Sequence, residues 1–231
     1  MRVGKVPRKS IWIAAAVATT SFAASVVYFW SVCSHNAVNT SRWNEYTSRQ
    51  QAKGSIGPGL LERFQDATTT IKTHLGETRA PYGYRKGDGE VIVEPVYAAC
   101  APEFSEGLAW ACAQNGEWVF IRPDGEVVFG LQAAGVWSFS SGLARIRVRE
   151  SGGWTSDGFV DTKGQVVIPA KYANALDFVG NYTLVHERTF VSKIMQSFVD
   201  RTGMSMGSCF AYRVRILDRT GSVVHPADLS K

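Results

Sequence analysis

Five segments of the sequence share one pattern: aromatic or aliphatic residues, a polar turn that ends in glycine, and a β-branched run. The turn glycines lie at intervals of 36, 39, 39 and 18 residues, and they are Gly89, Gly125, Gly164, Gly203 and Gly221. A glycine between two strand-forming runs supplies the positive φ that a tight hairpin turn requires. The spacing therefore predicts about four β-hairpin repeats and a shortened terminal copy, none of which buries its apolar face alone.

A second phrase recurs between the hairpins, as a Phe-anchored turn that leads into an alternating strand. It starts at Phe104, Phe139 and, in a more degenerate form, Phe178. Each repeat therefore contributes about three short strands. Alternation with period two places the small and aliphatic residues on the inward face of these strands, and they are Ala109, Ala111, Ala144, Ile146 and Val148.

The opposite face of the same strands carries an aromatic residue and several cations. These are Trp110, Arg145, Arg147, Arg149, His186 and Arg188. Stacked repeats would bring them into one stripe, and an exposed Trp beside a basic ladder suits an anionic or carbohydrate-bearing partner. The alternative is a plain solvated face, because sheets normally show charged residues on their outer side.

The order of these phrases resembles the bacterial WG repeat, and residues 82 to 113 carry most of it in one copy. The resemblance covers roughly residues 81 to 226. The eponymous Trp-Gly pair is nowhere intact, since successive copies read Tyr82-Gly83, Trp118-Val119, Asp157-Gly158 and Ser197-Phe198. The resemblance implies an all-β repeat array with an interaction role, often on envelope proteins. It supplies no catalytic residues.

The N-terminus predicts a membrane anchor. A basic tail at residues 1–10 precedes an apolar run at residues 11–33, and residues 10–40 contain no Lys, Arg, Asp or Glu. A 23-residue helix would span roughly 35 Å, which is enough to cross a bilayer. The basic tail then stays in the cytoplasm and the bulk of the chain is periplasmic or otherwise extracytoplasmic.

Two alternatives to the anchor remain. A cleavable signal peptide would use the small-x-small site Ser21-Phe22-Ala23 and lead to secretion, although the apolar run continues ten residues further. A lipoprotein would be modified at Cys33, but the residues before it match the small-residue motif poorly.

The remaining segments complete the predicted organisation. Residues 34–58 are polar and end in Gly-Pro, as in a linker. Residues 59–80 carry apolar side chains at three- and four-residue spacing, which predicts an amphipathic helix that caps the array or contacts a second copy. Residues 81–231 form the repeat domain.

A direct search for chemistry finds one weak catalytic motif. Residues 203–207 read G-x-S-x-G around Ser205, with Asp218 and His225 following, as in serine hydrolases. That motif needs a strand running into a helix, whereas Gly203 aligns with the hairpin glycines. The sequence therefore predicts no catalytic residue.

Cysteine, histidine and glycine patterns suggest no cofactor. The four Cys and four His residues have no metal-ligand spacing, so no metal site is predicted. Cys100 and Cys112 bracket one turn, and they are either joined by a disulfide in an oxidising space or are two small buried thiols. No glycine-rich run fits a nucleotide.

Composition indicates an ordered protein, and the charge distribution gives no overall argument for a polyanion partner. Hydrophobic residues make up 45% of the chain and charged residues 19%, as in ordered proteins. The formal charge is +5, but Arg2, Lys5, Arg8 and Lys9 carry four of those charges, which removes the argument for nucleic acid. We expect a membrane-anchored binding or scaffolding module. The alternatives are an envelope serine hydrolase that uses Ser205 and a sensor or regulatory ectodomain of a membrane complex.

Overall fold

A computed structural model describes residues 31–50, 61–151, 153–189 and 212–230. In these residues the chain is mostly β, with several small antiparallel sheets and one α-helix. The predicted all-β repeat array is therefore confirmed in its coarse form. Among the described residues no helix is long and apolar enough to cross a membrane. Residues 11–30 of the predicted anchor lie outside the described part.

The first two sheets contain one hairpin repeat each. Sheet I has three strands in the order β1-β4-β5, namely β1 Leu61–Gln65, β4 Tyr82–Lys86 and β5 Val91–Tyr97. A separate two-stranded ribbon pairs β2 Ile71–Lys72 with β3 Thr78–Arg79. Sheet II has four strands, β6 Ala99–Cys100, β7 Ala109–Cys112, β8 Trp118–Ile121 and β9 Val127–Leu131.

The last two sheets have four strands each, as sheet II does, so the predicted three strands per repeat are found in sheet I and are one too few for the other three sheets. Sheet III contains β10 Gly135–Ser140, β11 Leu143–Arg149, β12 Thr155–Asp161 and β13 Val166–Tyr172. Sheet IV contains β14 Asn174–Ala175, β15 Tyr182–Arg188, β16 Tyr212–Asp218 and β17 Val223–Val224, followed by a short 3-10 helix at Pro226–Ser230. Neighbouring strands in sheets II, III and IV are antiparallel and consecutive in the chain.

The sheets stack face to face, and apolar clusters fill the spaces between consecutive sheets. Tyr84 of sheet I packs with Ala109 and Ala111 of sheet II. Phe120 of sheet II packs with Phe139 of sheet III. A further cluster joins Phe159 of sheet III to sheet IV. Both faces of sheets II and III are therefore covered, as in other repeat arrays in which each unit contacts only its neighbours.

The Phe-anchored turns also connect successive repeats through hydrogen bonds. Ser105 Oγ donates to the carbonyl oxygen of Phe139 at 2.7 Å. Ser140 Oγ donates to the carbonyl oxygen of Phe178 at 2.5 Å. Each serine follows the Phe of one copy and bonds the Phe of the next, so the recurring phrase fixes the position of one sheet on another.

The predicted turn glycines are confirmed at four positions. Gly89, Gly125, Gly164 and Gly221 have φ between 81° and 93°. In each turn the glycine N–H donates to the carbonyl oxygen of the residue three positions before it. Gly203 lies outside the described residues.

The predicted amphipathic helix at residues 59–80 is wrong. Its described part forms β1, β2 and β3, and β1 pairs with β4 along its whole length. A turn at Asp66 interrupts the segment, because its carboxylate accepts hydrogen bonds from the Thr68 N–H and from the Thr68 and Thr69 hydroxyls. Such local bonds compete with helix formation, and they lower the pKa of Asp66. The first repeat therefore begins at β1, before Pro81.

The predicted linker at residues 34–58 is instead helical through residue 50. In the described part, helix α1 covers residues 31–50. Trp43 and Tyr46 of α1 are buried with Leu184, Val214 and Ile216 of sheet IV. A helix does cap the array, as expected, but it comes from the segment that lacks obvious periodicity and it covers the last sheet.

The last hairpin belongs to sheet IV and is not a shortened fifth copy. Strand β15 pairs directly with β16, with Thr183 opposite Leu217 and Val185 opposite Arg215. Residues 190–211, which include the predicted fourth hairpin, lie outside the described part and connect these two strands in sequence. Apart from the two-stranded ribbon, the described residues thus form four sheets, each with one of the confirmed glycines Gly89, Gly125, Gly164 and Gly221.

Candidate functional site

The inward face of the alternating strands is confirmed. Ala109, Ala111 and Ala144 are fully buried, and Ile146 is almost so. The opposite face is not solvated, however, because the next sheet packs against it. Trp110 is half-buried between sheets II and III, where its ring meets Trp118 edge to face at 5.5 Å.

Arg145 and Arg147 surround one buried carboxylate. Asp157 has no exposed surface. Arg147 donates to it through Nε at 2.6 Å and through a terminal nitrogen at 2.9 Å, and Arg145 approaches it at 3.5 Å. The N–H of Ala175 in sheet IV donates to the same carboxylate at 2.9 Å. Asp157 therefore ties sheet III to sheet IV.

Further contacts fix both guanidinium groups. Arg145 donates from Nε to Asp177 at 3.0 Å, and its guanidinium lies 3.6 Å from the centre of the Trp137 ring. Arg147 also donates to Asn174 at 3.0 Å. The hydrogen bond to Asp157 raises the pKa of Arg147. Two cations and two carboxylates thus neutralise one another, which favours a structural role for this cluster.

The Asp157 cluster occupies the positions that hold tryptophans one repeat earlier. In sheet II, Trp110 and Trp118 lie diagonally across β7 and β8. In sheet III the same register positions hold Arg145 and Asp157. The interface between sheets III and IV therefore uses an ion-pair network where the preceding interface uses an aromatic pair.

The other members of the predicted stripe are also dispersed. Arg188 donates to Ser156 Oγ at 2.7 Å and to the carbonyl oxygen of Thr155, and its guanidinium lies over the Trp154 ring. His186 is half-buried, and burial lowers its pKa. Arg149 is exposed at the end of β11. The predicted stripe of Trp110, Arg145, Arg147, Arg149, His186 and Arg188 therefore does not form one open surface, because stacking covers most of it.

The cysteines are not joined. Cys100 and Cys112 are both free and buried. Cys100 lies opposite Ala111 in the β6–β7 pair, so Cys112, one residue further along the strand, projects to the other face. The disulfide alternative is therefore wrong. Burial raises the pKa of both thiols.

The other searched motifs give no site within the described part of the chain. Ser205 lies outside it, and so does the rest of the G-x-S-x-G motif. Among the residues that the structure describes, no group of three or more His, Cys, Asp or Glu side chains could hold a metal ion.

A groove of about 570 Å³ lies between α1 and the outer edge of sheet IV. Two asparagines position the helix. Asn36 donates to the Tyr212 carbonyl at 2.9 Å and accepts from the Val214 N–H at 2.8 Å, while Asn39 donates to the Val214 carbonyl at 2.7 Å. All three bonds are made to backbone groups of β16. The helix is therefore fixed to this strand and leaves the edge of the neighbouring strand, β17, open.

The groove combines an apolar floor with a basic rim. Its lining residues are Ser34, His35, Val38, Asn39, Arg42, Arg215, Ile216, Val223, Val224, His225, Pro226 and Ala227. None of these described residues is acidic. Arg42 pairs with Glu45 at 3.1 Å and Arg215 with Glu187 at 3.2 Å, and each guanidinium keeps further N–H donors. The groove therefore suits an apolar segment that carries carboxylates.

Few features of the sequence indicate this groove. Residues 34–50 look like a linker because serine, asparagine and arginine dominate them. The available signal was the spacing of Asn36, Asn39, Trp43 and Tyr46, which places two amides and two aromatic rings on one helical face.

Comparisons with known proteins identify the repeat. The family model described as "WG containing repeat" matches residues 82–118 and 158–186. No curated protein matches the chain. A crystal structure of a protein of unknown function from Bacteroides caccae aligns with 11% sequence identity over 69% of this chain and 80% of that one, at a TM-score of 0.19. The two family matches fall on sheets I and II and on sheets III and IV, and these parts of the chain are similar to the WG repeat.

Proposed function

We propose that this protein is a non-catalytic binding or scaffolding module, anchored in the cell membrane through residues 11–33 with its repeats outside the cytoplasm. The groove between α1 and sheet IV is the observation that carries the binding role. Its size lies within the range typical of ligand-binding clefts. Its floor is apolar and its rim basic, so its occupant is an acidic, partly apolar segment of a partner protein.

Several features support this proposal. WG repeats provide a rigid stack with both faces of the inner sheets covered. Such a stack gives a fixed platform for the helix that forms one wall of the groove. The basic residues 1–10 and the uncharged run after them favour an anchored chain with its N-terminus in the cytoplasm.

The groove is tested by photocrosslinking in cells that express the full chain. A photoreactive benzoylphenylalanine at Val38, which is 55% exposed in the groove, is expected to crosslink to a partner. Adding Arg215→Glu should reduce the yield about tenfold, because reversing a rim charge repels an acidic segment. The matched control Arg79→Glu reverses an exposed charge on β3, outside the groove, and should leave the yield unchanged. Equal crosslinking in the Arg215→Glu and parent proteins would refute the groove as the binding site.

The membrane topology is tested by protease protection. Protease added outside spheroplasts should digest the repeat domain while a tag on the N-terminus stays intact, because the basic tail is held in the cytoplasm. Immunoblotting for the two ends provides the measurement. Protection of the whole chain would show that the orientation is wrong, and release of the whole repeat domain without protease would favour a cleaved signal.

A further inference from the structure

Sheet I has one strand fewer than the other three sheets, and the vacant place is beside β1. Sheets II, III and IV each begin with an edge strand, β6, β10 or β14, which pairs antiparallel with the next strand along the chain. Sheet I has the order β1-β4-β5, so β1 is its outermost strand. Among the described residues, no strand pairs with the free edge of β1.

Strand β1 occupies the repeat position of β7, β11 and β15. Each of these four strands places one residue opposite the residue that precedes the turn glycine by five positions. The four equivalent residues are Arg63, Trp110, Arg145 and Leu184. Strand β1 is therefore an ordinary second strand of a repeat whose first strand is missing.

The other sheets show how this edge is filled. In each of them, the carbonyl oxygen equivalent to that of Gln65 accepts a hydrogen bond from an alanine N–H just before the first strand, at 2.8, 2.7 and 2.8 Å. The pairs are Ala98 with Cys112, Ala134 with Arg147 and Ala173 with His186. Two residues after each alanine, a buried small or aliphatic residue lies opposite the equivalent of Phe64, and these residues are Cys100, Val136 and Ala175. One bond and one register therefore recur three times.

The residues before β1 are too close to α1 to supply this strand. In the other sheets the residue opposite the equivalent of Phe64 precedes it by eleven or ten positions. The same offset from Phe64 falls on Lys53 or Gly54, three or four residues after the described end of α1. Four residues span at most about 14 Å. Helix α1 packs on sheet IV, and sheets II and III separate it from sheet I at about 10 Å per sheet.

A second copy of the chain also fits this edge poorly. Two β1 strands that pair antiparallel about a two-fold axis place one residue opposite itself. With the axis at Glu62 or Arg63, two like charges face each other, and with the axis at Phe64, Glu62 faces Asp66. Like charges directly opposite one another destabilise an antiparallel pair. The edge therefore favours a strand of different sequence.

The side chains of β1 define the chemistry of that strand. Arg63 donates to the Cys100 carbonyl of sheet II at 3.1 Å, so alternation turns Glu62 and Phe64 to the other face. Glu62 is exposed, and Phe64 is half-buried, with the Arg85 guanidinium 5.5 Å from its ring centre. We propose that β1 binds an extended strand of a partner protein by antiparallel β-augmentation, with a small or aliphatic residue opposite Phe64 and a cation opposite Glu62.

The proposal is independent of the groove on sheet IV and of the membrane anchor, and a designed peptide tests it. The full chain, held in lipid nanodiscs, is titrated into the labelled peptide Thr-Ala-Thr-Val-Thr-Lys-Thr-Gly. Its Val lies opposite Phe64 and its Lys opposite Glu62. Its Ala N–H and the N–H of the Thr after Val bond the carbonyls of Gln65 and Arg63, as Ala98 and Ala101 bond the equivalent carbonyls in sheet II.

Two N-methylated peptides are the matched controls, and fluorescence anisotropy measures all three. Methylation of the Ala and of the Thr after Val should weaken binding at least about tenfold, because it removes two hydrogen bonds. Methylation of the Val and the Lys, whose N–H groups point away from β1, should change the affinity less than about twofold.

Variants of β1 provide a second test. Arg63→Pro should abolish binding, because a proline on the free edge removes an N–H and blocks the approach of a strand. Arg63→Ala loses the same bond to Cys100 but leaves the edge open, and it should bind as the parent does. Equal thermal unfolding of the two variants checks the fold. Glu62→Lys should weaken binding about threefold, and a peptide with Glu in place of Lys should restore it.

Several results would overturn the proposal. They are the absence of binding by the unmethylated peptide, equal binding by the two methylated peptides, and full binding by Arg63→Pro. Binding that appears only after residues 51–58 are replaced by a Gly-Ser segment of equal length would show that the chain fills its own edge. A dimer in light scattering that Arg63→Pro disrupts would assign the edge to a second copy.

Discussion

Asp157→Asn is expected to destabilise the protein by about 3 to 5 kcal/mol, because it removes the charge that pairs with two partly buried arginines. The asparagine keeps the volume and an acceptor for the Ala175 N–H. It cannot accept the two bonds from Arg147 as a carboxylate does. Urea unfolding followed by tryptophan fluorescence measures the loss, and the midpoint of thermal unfolding should fall by roughly 10 °C.

The matched control for this variant is Asp177→Asn. Asp177 pairs with Arg145 at 3.0 Å, but its side chain is 47% exposed. Its substitution should cost no more than about 1 kcal/mol. Equal losses in the two variants would mean that the burial of Asp157 between sheets III and IV does not decide the stability of the stack.

Gly158→Ala is expected to cost about 3 kcal/mol, because there is no room for its Cβ. That Cβ would lie 2.6 Å from the Ala170 nitrogen and the Ile168 carbonyl oxygen, and both atoms belong to the backbone of β13. The pairing register shifts here, since one residue of β12, Gly158, lies opposite three residues of β13. Pro169 lies within that bulge. Chemical denaturation of the purified variant provides the measurement.

Gly135→Ala is the matched control in the same sheet. A Cβ on Gly135 would meet the Trp137 ring at 3.6 Å and the Arg147 Cβ at 4.0 Å, which are ordinary contacts. This variant should keep the stability of the parent within about 0.5 kcal/mol. A Gly158→Ala protein as stable as the control would show that the bulge widens freely.

The same bulge explains which repeats keep the glycine of the Trp-Gly pair. Gly83 of sheet I has the same environment, where a Cβ would lie 2.3 Å from the Val93 carbonyl oxygen. In sheet II the position holds Val119, which pairs in plain register with Gly130. In sheets I to III a glycine therefore lies on one strand or the other, and sheets I and III, whose last strands contain a proline, place it on the first.

The hairpins were predictable because their chemistry is local. A positive φ at Gly89, Gly125, Gly164 and Gly221 follows from the turn sequence alone, and the burial of Ala109 and Ala144 follows from alternation along one strand. Neither inference depends on where other repeats lie.

The outer face was not predictable in this way. Arg145 and Arg147 look like solvated residues in their own strand, but a neighbouring sheet covers them and Asp157 neutralises them. Asp157 is ten or more residues away from both arginines in sequence. It occupies the position that holds Trp118 in the preceding repeat. Pattern reasoning on one strand cannot show whether its second face is covered.

The predictions near the N-terminus were wrong for a similar reason: the segment predicted as a helix forms strands, and the segment predicted as a linker contains a helix. The apolar spacing after Gly59 matches a helix, but pairing with β4 and the turn at Asp66 decide the structure. The polar sequence of α1 becomes helical because Trp43 and Tyr46 are buried against a sheet more than a hundred residues later.

The docking of α1 on sheet IV limits how this protein can change its number of repeats. The described part of helix α1 reaches residue 50, and the chain enters sheet I at Leu61. Eleven peptide steps reach at most about 40 Å, and each added sheet would move the last one about 10 Å further along the stack. Duplication of a repeat would therefore soon require a longer connection before Leu61, so the length of that connection and the number of sheets must evolve together.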